Sequence, residues 1–172
     1  AVREALARNA NLAESLLKVL MLDEHEDVRK GLVAWRESIP LCVQRHLAKD
    51  PNIDIRTHIA RTSDLQVEVQ QQLAGDLPEV QCQLAGNTSL SAEVQQRLFE
   101  RGGVETLSAL AGNQALTEPV QAQLADDINI EVLIRLAQNP ALAGAVAEKL
   151  IRNVESVQKA LAGNRNLSSC LL

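Results

Sequence analysis

Leucine, isoleucine and valine recur along this chain at steps of four, break off, and resume in the same order about 26 residues later. A first apolar column runs Leu6, Leu32, Ile59, Leu84, Leu110, Leu136 and Leu161, and a second runs Leu12, Ile39, Leu65, Leu90, Leu116, Leu142 and Leu167. Four residues beyond the second come Leu16, Val43, Val69, Val94, Val120, Val146 and Leu171; four further come Leu20, Leu47, Leu73, Leu98, Leu124 and Leu150. Residues four apart share one face of a helix, so these later columns predict an amphipathic helix in every unit. Cutting before Val2, Val28, Ile55, Val80, Thr106, Val132 and Val157 gives units of 26, 27, 25, 26, 26 and 25 residues and a final 16.

Each unit predicts a short helical segment over V-[RQ]-x-x-L-A, a turn at an asparagine, and a longer helix ending near the fourth column. The turn phrase L-A-x-N-x-x-L occurs from Leu6, Leu84, Leu110, Leu136 and Leu161. The second unit departs from it, with an extra residue and no Asn between Trp35 and Ser38, and in the third unit Thr62 replaces the Asn. Ser91, Thr117 and Ser168 stand where the longer helix should start and read as N-caps. Pro119 suits a first turn, and Asp50-Pro51-Asn52, Gly75-Asp76-Leu77-Pro78 and Gly102-Gly103 supply turn chemistry between units. One unit cannot cover its own stripe, but stacked neighbours bury all four columns as one ribbon of core. The expected fold is therefore all-α, a single helical-repeat domain over residues 1–172, built as a solenoid of about seven 25–27-residue repeats without a β-sheet. Helices stacked about 8–10 Å apart would make it about 50–60 Å long.

Composition agrees with that reading. The chain is dense in Leu, Ala, Gln and Glu, which favour helices, and Trp35 and Phe99 are its only aromatics. A net charge of −5 disfavours general attraction to nucleic acid or anionic membrane. The charge is uneven, however: residues 1–61 carry ten Lys or Arg against nine Asp or Glu, and residues 62–172 carry seven against thirteen. A basic surface near the N-terminus therefore stays open as an alternative. Cys42, Cys82 and Cys170 show neither a C-x-x-C pair nor a disulfide framework and read as reduced thiols. No apolar run approaches the roughly 20 residues of a membrane span, and no signal-peptide pattern opens the chain. A soluble, cytoplasmic protein is expected, and the start at Ala1 suggests a processed chain or an excised segment of a longer one.

The unit resembles the leucine-rich repeat variant, a bacterial repeat with the pattern V-R-x-x-L-A-x-N-P-x-L; Val132 to Leu142, with Asn139-Pro140, is its closest copy here. The resemblance covers essentially the whole chain. It implies alternating α and 3₁₀ helices wound into a right-handed superhelix, similar to armadillo and HEAT arrays. One member of that family carries an iron–sulfur cluster on clustered cysteines ahead of its repeats. Cys42, Cys82 and Cys170 occupy different repeat positions and lack that spacing, so no cluster is expected.

Catalytic chemistry finds little footing. His25, His46 and His58 lie at different repeat positions without a H-E-x-x-H pattern, so no metal and no cofactor are expected. No nucleophile elbow, P-loop or dinucleotide fingerprint occurs. The expectation is a non-enzymatic scaffold that binds a protein partner. The alternative is nucleic-acid binding through the N-terminal half, or a helical-repeat DNA repair enzyme, for which Trp35 would be the only large stacking surface. The recurrent Asn9, Asn87, Asn113, Asn139 and Asn164 read as side chains that bond backbone groups exposed between helices. One polar column changes along the chain: Arg3, Arg29 and Arg56 give way to Gln81, Leu107, Leu133 and Gln158. These arginines are the candidate partner-binding stripe, suited to carboxylates or phosphates. Asp23, Asp50 and Asp76 accompany them, so ion pairs between repeats are an equal reading. Leu171 and Leu172 end the chain where a full unit would continue, and are expected to be shielded by a partner or a neighbouring copy, or frayed.

Overall fold

The computed structural model describes residues 2–34 and 38–167. Among these residues there are thirteen α-helices and no strand. The first of each pair are α1 (Val2–Ala7), α3 (Glu26–Ala34), α5 (Ile53–Ala60), α7 (Pro78–Ala85), α9 (Val104–Ala111), α11 (Ile130–Ala137) and α13 (Glu155–Ala162). Between them lie α2 (Glu14–Leu20), α4 (Leu41–Leu47), α6 (Val67–Leu73), α8 (Ala92–Arg101), α10 (Glu118–Leu124) and α12 (Gly144–Leu150).

Two expectations about these elements need correction. The second helix is the longer one only in the first and fourth units, where α2 has seven residues against six in α1 and α8 has ten against eight in α7; α4, α6, α10 and α12 have seven, fewer than the odd-numbered helices that precede them. The turn after the Asn consumes the residues that the apolar spacing had assigned to a helix. Nor do α and 3₁₀ helices alternate: both members of a pair are α-helical among the described residues. The seven-residue helices close full α-type bonds at both ends, as in Gln70 N–H to the Gln66 carbonyl (3.0 Å) and Ala74 N–H to Gln70 (2.9 Å). Tighter i→i−3 bonds mark helix ends and turns, as in Val69 N–H to the Gln66 carbonyl (2.9 Å) and Asn87 N–H to Leu84 (2.9 Å).

Some of the expected caps form. Ser91 Oγ accepts from Val94 N–H, and Pro119 sits in the first turn of α10. Thr117 occupies the cap position of α10, but its side chain accepts no capping bond. Ser168 lies outside the described residues, as do Trp35, Cys170, Leu171 and Leu172. Asn52 and Asn129 cap α5 and α11, each accepting from the N–H two residues on. Among the glycines, Gly102 is held by space: a Cβ there would meet the Leu98 carbonyl at 2.5 Å and Thr106 Cγ2 at 2.7 Å.

The packing follows the columns. Odd-numbered helices pack in order, α1 on α3 through to α11 on α13, while α2 on α4, α6 on α8, α8 on α10 and α10 on α12 make a looser second row. Ala7, Ala60, Ala85, Ala111 and Ala137 are buried between odd-numbered helices, and their small side chains permit this close approach. From the second unit on, the described residues of the first, third and fourth columns are buried. In the first unit the equivalent Leu6 and Leu16 are 37% and 42% exposed.

Candidate interaction surface

Three ladders of polar side chains use up much of the charge and amide chemistry of the units. The first is the arginine column. Arg29 donates from Nε and Nη2 to the two carboxylate oxygens of Asp50 (2.6 and 3.1 Å), and from Nη1 to the carbonyls of Asp23 (2.8 Å) and Glu24 (3.1 Å). Arg56 repeats this on Asp76 (2.7 and 3.0 Å) and on the carbonyls of Asp50 (2.7 Å) and Pro51 (3.3 Å). Each guanidinium thus ties the turn before its helix to the turn after the next one. Both arginines are largely buried, and their carboxylate partners hold the pKa of each above its ordinary value. Arg3 is half exposed and pairs with Asp23 at 2.8 Å. Gln81 takes over the turn contact, donating to the Asp76 carbonyl (2.9 Å), and Gln158 does the same to Ile151 and Asn153 (2.9 Å each). Leu107 and Leu133 fill the position with apolar packing, and Asp126 finds Lys149 instead (2.5 Å).

The second ladder is the asparagine column. Asn113 Nδ2 donates to the carbonyls of Ala85 and Asn87 (2.8 Å each), while its Oδ1 accepts from Ala115 N–H (2.8 Å). Asn139 bonds Ala111 and Asn113 in the same way, and Asn164 bonds Ala137 and Asn139. Asn87 reaches Ala60 and Thr62, so Thr62 offers its backbone where an Asn would stand.

The third ladder was not anticipated. Gln44, Gln70, Gln95 and Gln121 are buried one residue after the Val of the third column. Gln70 Nε2 donates to the carbonyls of Leu65 (2.7 Å) and Ser89 (2.9 Å), and its Oε1 accepts from Ser91 N–H (2.9 Å). Gln95 and Gln121 make the corresponding three bonds to their own and the following turn. The recurrent V-Q dipeptide at Val43, Val69, Val94 and Val120 was the available signal.

Among the described residues, open depressions remain for a partner: one of about 810 Å³ beside α4, bordered by Cys42, Arg45, His46 and Lys49, and one on the odd-numbered helices. An open groove of about 700 Å³ runs from the turn after α5 across α7, α9 and α11, with Cys82, Gly86, Ser108 and Gly112 on its floor and Glu105, Glu131, Arg61 and Arg135 around it. Cys82 is half-buried there, and Cys42 lies away on α4. His58 Nδ1 contacts its own helix at the Asp54 carbonyl (2.7 Å), while His25 is exposed beside Glu24. Among the described residues no group of three His, Cys, Asp or Glu is placed to hold a metal ion, and no helix is long and apolar enough to cross a membrane.

Comparison with family models, with curated proteins and with solved structures gives no match in any of the three.

Proposed function

We propose that the chain is a right-handed superhelical solenoid of about seven repeats that acts as a non-catalytic scaffold for a protein partner. The observation that carries this reading is the groove: the turn after α5 and the three following odd-numbered helices, α7, α9 and α11, contribute to one open trough of about 700 Å³ instead of enclosing a cavity. A trough that crosses successive packed units fits an elongated partner better than a small molecule, which would be largely enclosed in its pocket. The closer packing of the odd row is also what a curved stack needs on its inner side, where the trough lies.

Nucleic-acid binding through the N-terminal half has less support, since Arg29 and Arg56 direct their donors to Asp50, Asp76 and turn carbonyls. The test is capture from native cells with the purified protein as bait at about 0.15 M salt, with parallel nuclease treatment and a titration of DNA and RNA fragments over about 0.05–0.2 M salt. The expected result is one or a few proteins retained after nuclease treatment. Retention of nucleic acid alone, weakening steeply with salt, would overturn the proposal.

A further inference from the structure

In units two to six a carboxylate stands one residue ahead of the buried residue that opens the unit: Asp27, Asp54, Glu79, Glu105 and Glu131. Asp54 is engaged by Lys30 at 2.8 Å. Glu79, Glu105 and Glu131 are exposed, sit on the adjacent helices α7, α9 and α11, and form no ion pair among the described residues. Glu105 and Glu131 edge the groove, and Glu79 edges a depression of about 490 Å³ that shares Cys82, Gln83 and Glu105 with it.

Two features of the groove floor are not accounted for by the fold. Ser108 is only 9% exposed and lines the groove, yet its hydroxyl makes no hydrogen bond among the described residues. Unlike the fully enclosed Thr106 hydroxyl, that of Ser108 opens onto the groove, where a ligand's polar group can bond it. Gly86 and Gly112 adopt ordinary right-handed backbone (φ −76° and −79°), and a Cβ on either would meet nothing nearer than 3.7 Å. Gln138 occupies the equivalent place with φ −82°. The fold therefore tolerates a side chain there, and glycine keeps the floor low.

A carboxylate near the start of a helix also has a local explanation, because it complements the helix dipole. Glu93 and Glu118 do this on α8 and α10, in the looser row. The dipole accounts for the sign of each residue. It does not account for three unpaired carboxylates on adjacent helices beside a trough whose floor offers a hydroxyl with no protein partner among the described residues.

We propose that this groove takes an extended basic peptide, whose lysine or arginine side chains meet Glu79, Glu105 and Glu131 in turn and whose backbone bonds the Ser108 hydroxyl. The inference rests on the scaffold reading and names the partner's chemistry. Adjacent packed helices lie about 8–10 Å apart and an extended chain advances about 3.3 Å per residue, so the matching register is a cation at every third residue. Arg61 and Arg135 border the same groove, which selects spaced cations over an unbroken basic run.

The test uses the full chain and a fluorescent peptide of about twelve residues repeating Lys-Thr-Ser, with an isomer that gathers its lysines in one block. Anisotropy titration at low salt is expected to give saturable binding, weaker for the block isomer. Glu105→Lys with Glu131→Lys is expected to weaken the spaced peptide about tenfold or more, while the matched reversal Glu93→Lys with Glu118→Lys leaves it within about twofold. Ser108→Ala is expected to weaken it a few-fold, and thermal melting of each variant verifies its fold. Absence of saturable binding, or equal loss in the two double reversals, overturns the inference. The two double variants also serve as baits in the capture experiment. A protein partner that both retain equally overturns the groove assignment while leaving the scaffold reading standing.

Discussion

The amide of Asn113 holds two carbonyls of the preceding unit and one N–H of its own, all at 2.8 Å, in a site only 3% exposed. Replacing it with leucine would strand those groups, so Asn113→Leu is expected to cost about 2–4 kcal/mol, measured by urea unfolding. Thr106 presents the opposite situation. It stands in a column otherwise occupied by Val or Ile, is 1% exposed, and its hydroxyl has no partner. Thr106→Val keeps the shape and removes the unpaired group, and should raise stability by about 1 kcal/mol in the same assay. The role of the asparagines was legible because they interrupt an apolar pattern at a turn. The glutamines were not, since Gln is a good helix former and a polar residue on a helix reads as solvent-facing until its side-chain direction is known. The groove carboxylates were hidden for a related reason: an acidic residue in a first turn is ordinary, and only the packing of α7, α9 and α11 brings three of them together.

At the scale of the element, apolar spacing located both helices of the first six units, but not their lengths. Turn bonds and caps decide those, and they depend on backbone geometry that spacing does not carry. The arginine column shows a similar limit: the accompanying aspartates suggested pairing, but the bonds from Nη1 to turn carbonyls had no sequence signal. Where α8 meets α9 the chain has no room, so Gly102→Ala, with its Cβ 2.5 Å from the Leu98 carbonyl, is expected to destabilise by about 1–3 kcal/mol. Thermal melting would register this as a drop of several degrees. Between elements, Arg45 holds the Glu68 carboxyl below its ordinary 4.5, and Lys30 holds Asp54 below its ordinary 3.8, chiefly by hydrogen bonding. A carboxylate with a depressed folded pKa adds stability that is present above its unfolded value and is lost as pH falls through the folded one. Melting temperature should therefore decline from about pH 5 to about pH 3, less so in Glu68→Gln. Arg45, whose pKa the hydrogen bond to Glu68 raises further, stays charged throughout that window and adds nothing to the change. Both carboxylates are solvent-exposed, so moderate salt should blunt the decline.

For the molecule as a whole, the principal packing joins each helix to the next and the next but one, and the described rungs of the ladders reach no further than a neighbouring unit. That locality makes length a heritable variable. An in-frame deletion of residues 88–113 would set Gln114 directly after Asn87, and every rung has a substitute. Ala115 N–H takes the place of Ser89 at Asn87 Oδ1, and Asn139 meets the carbonyls of Ala85 and Asn87 in place of Ala111 and Asn113. Gln70 likewise exchanges Ser89 and Ser91 for Ala115 and Thr117. The shortened protein is expected to fold with an unchanged helical signal per residue in circular dichroism, while its trough loses Glu105 and Ser108 and reads a peptide one step shorter. Recombination between copies could thus lengthen or shorten the reading frame of the trough without stranding a single hydrogen bond, so recognition could drift by whole units while the fold stays fixed.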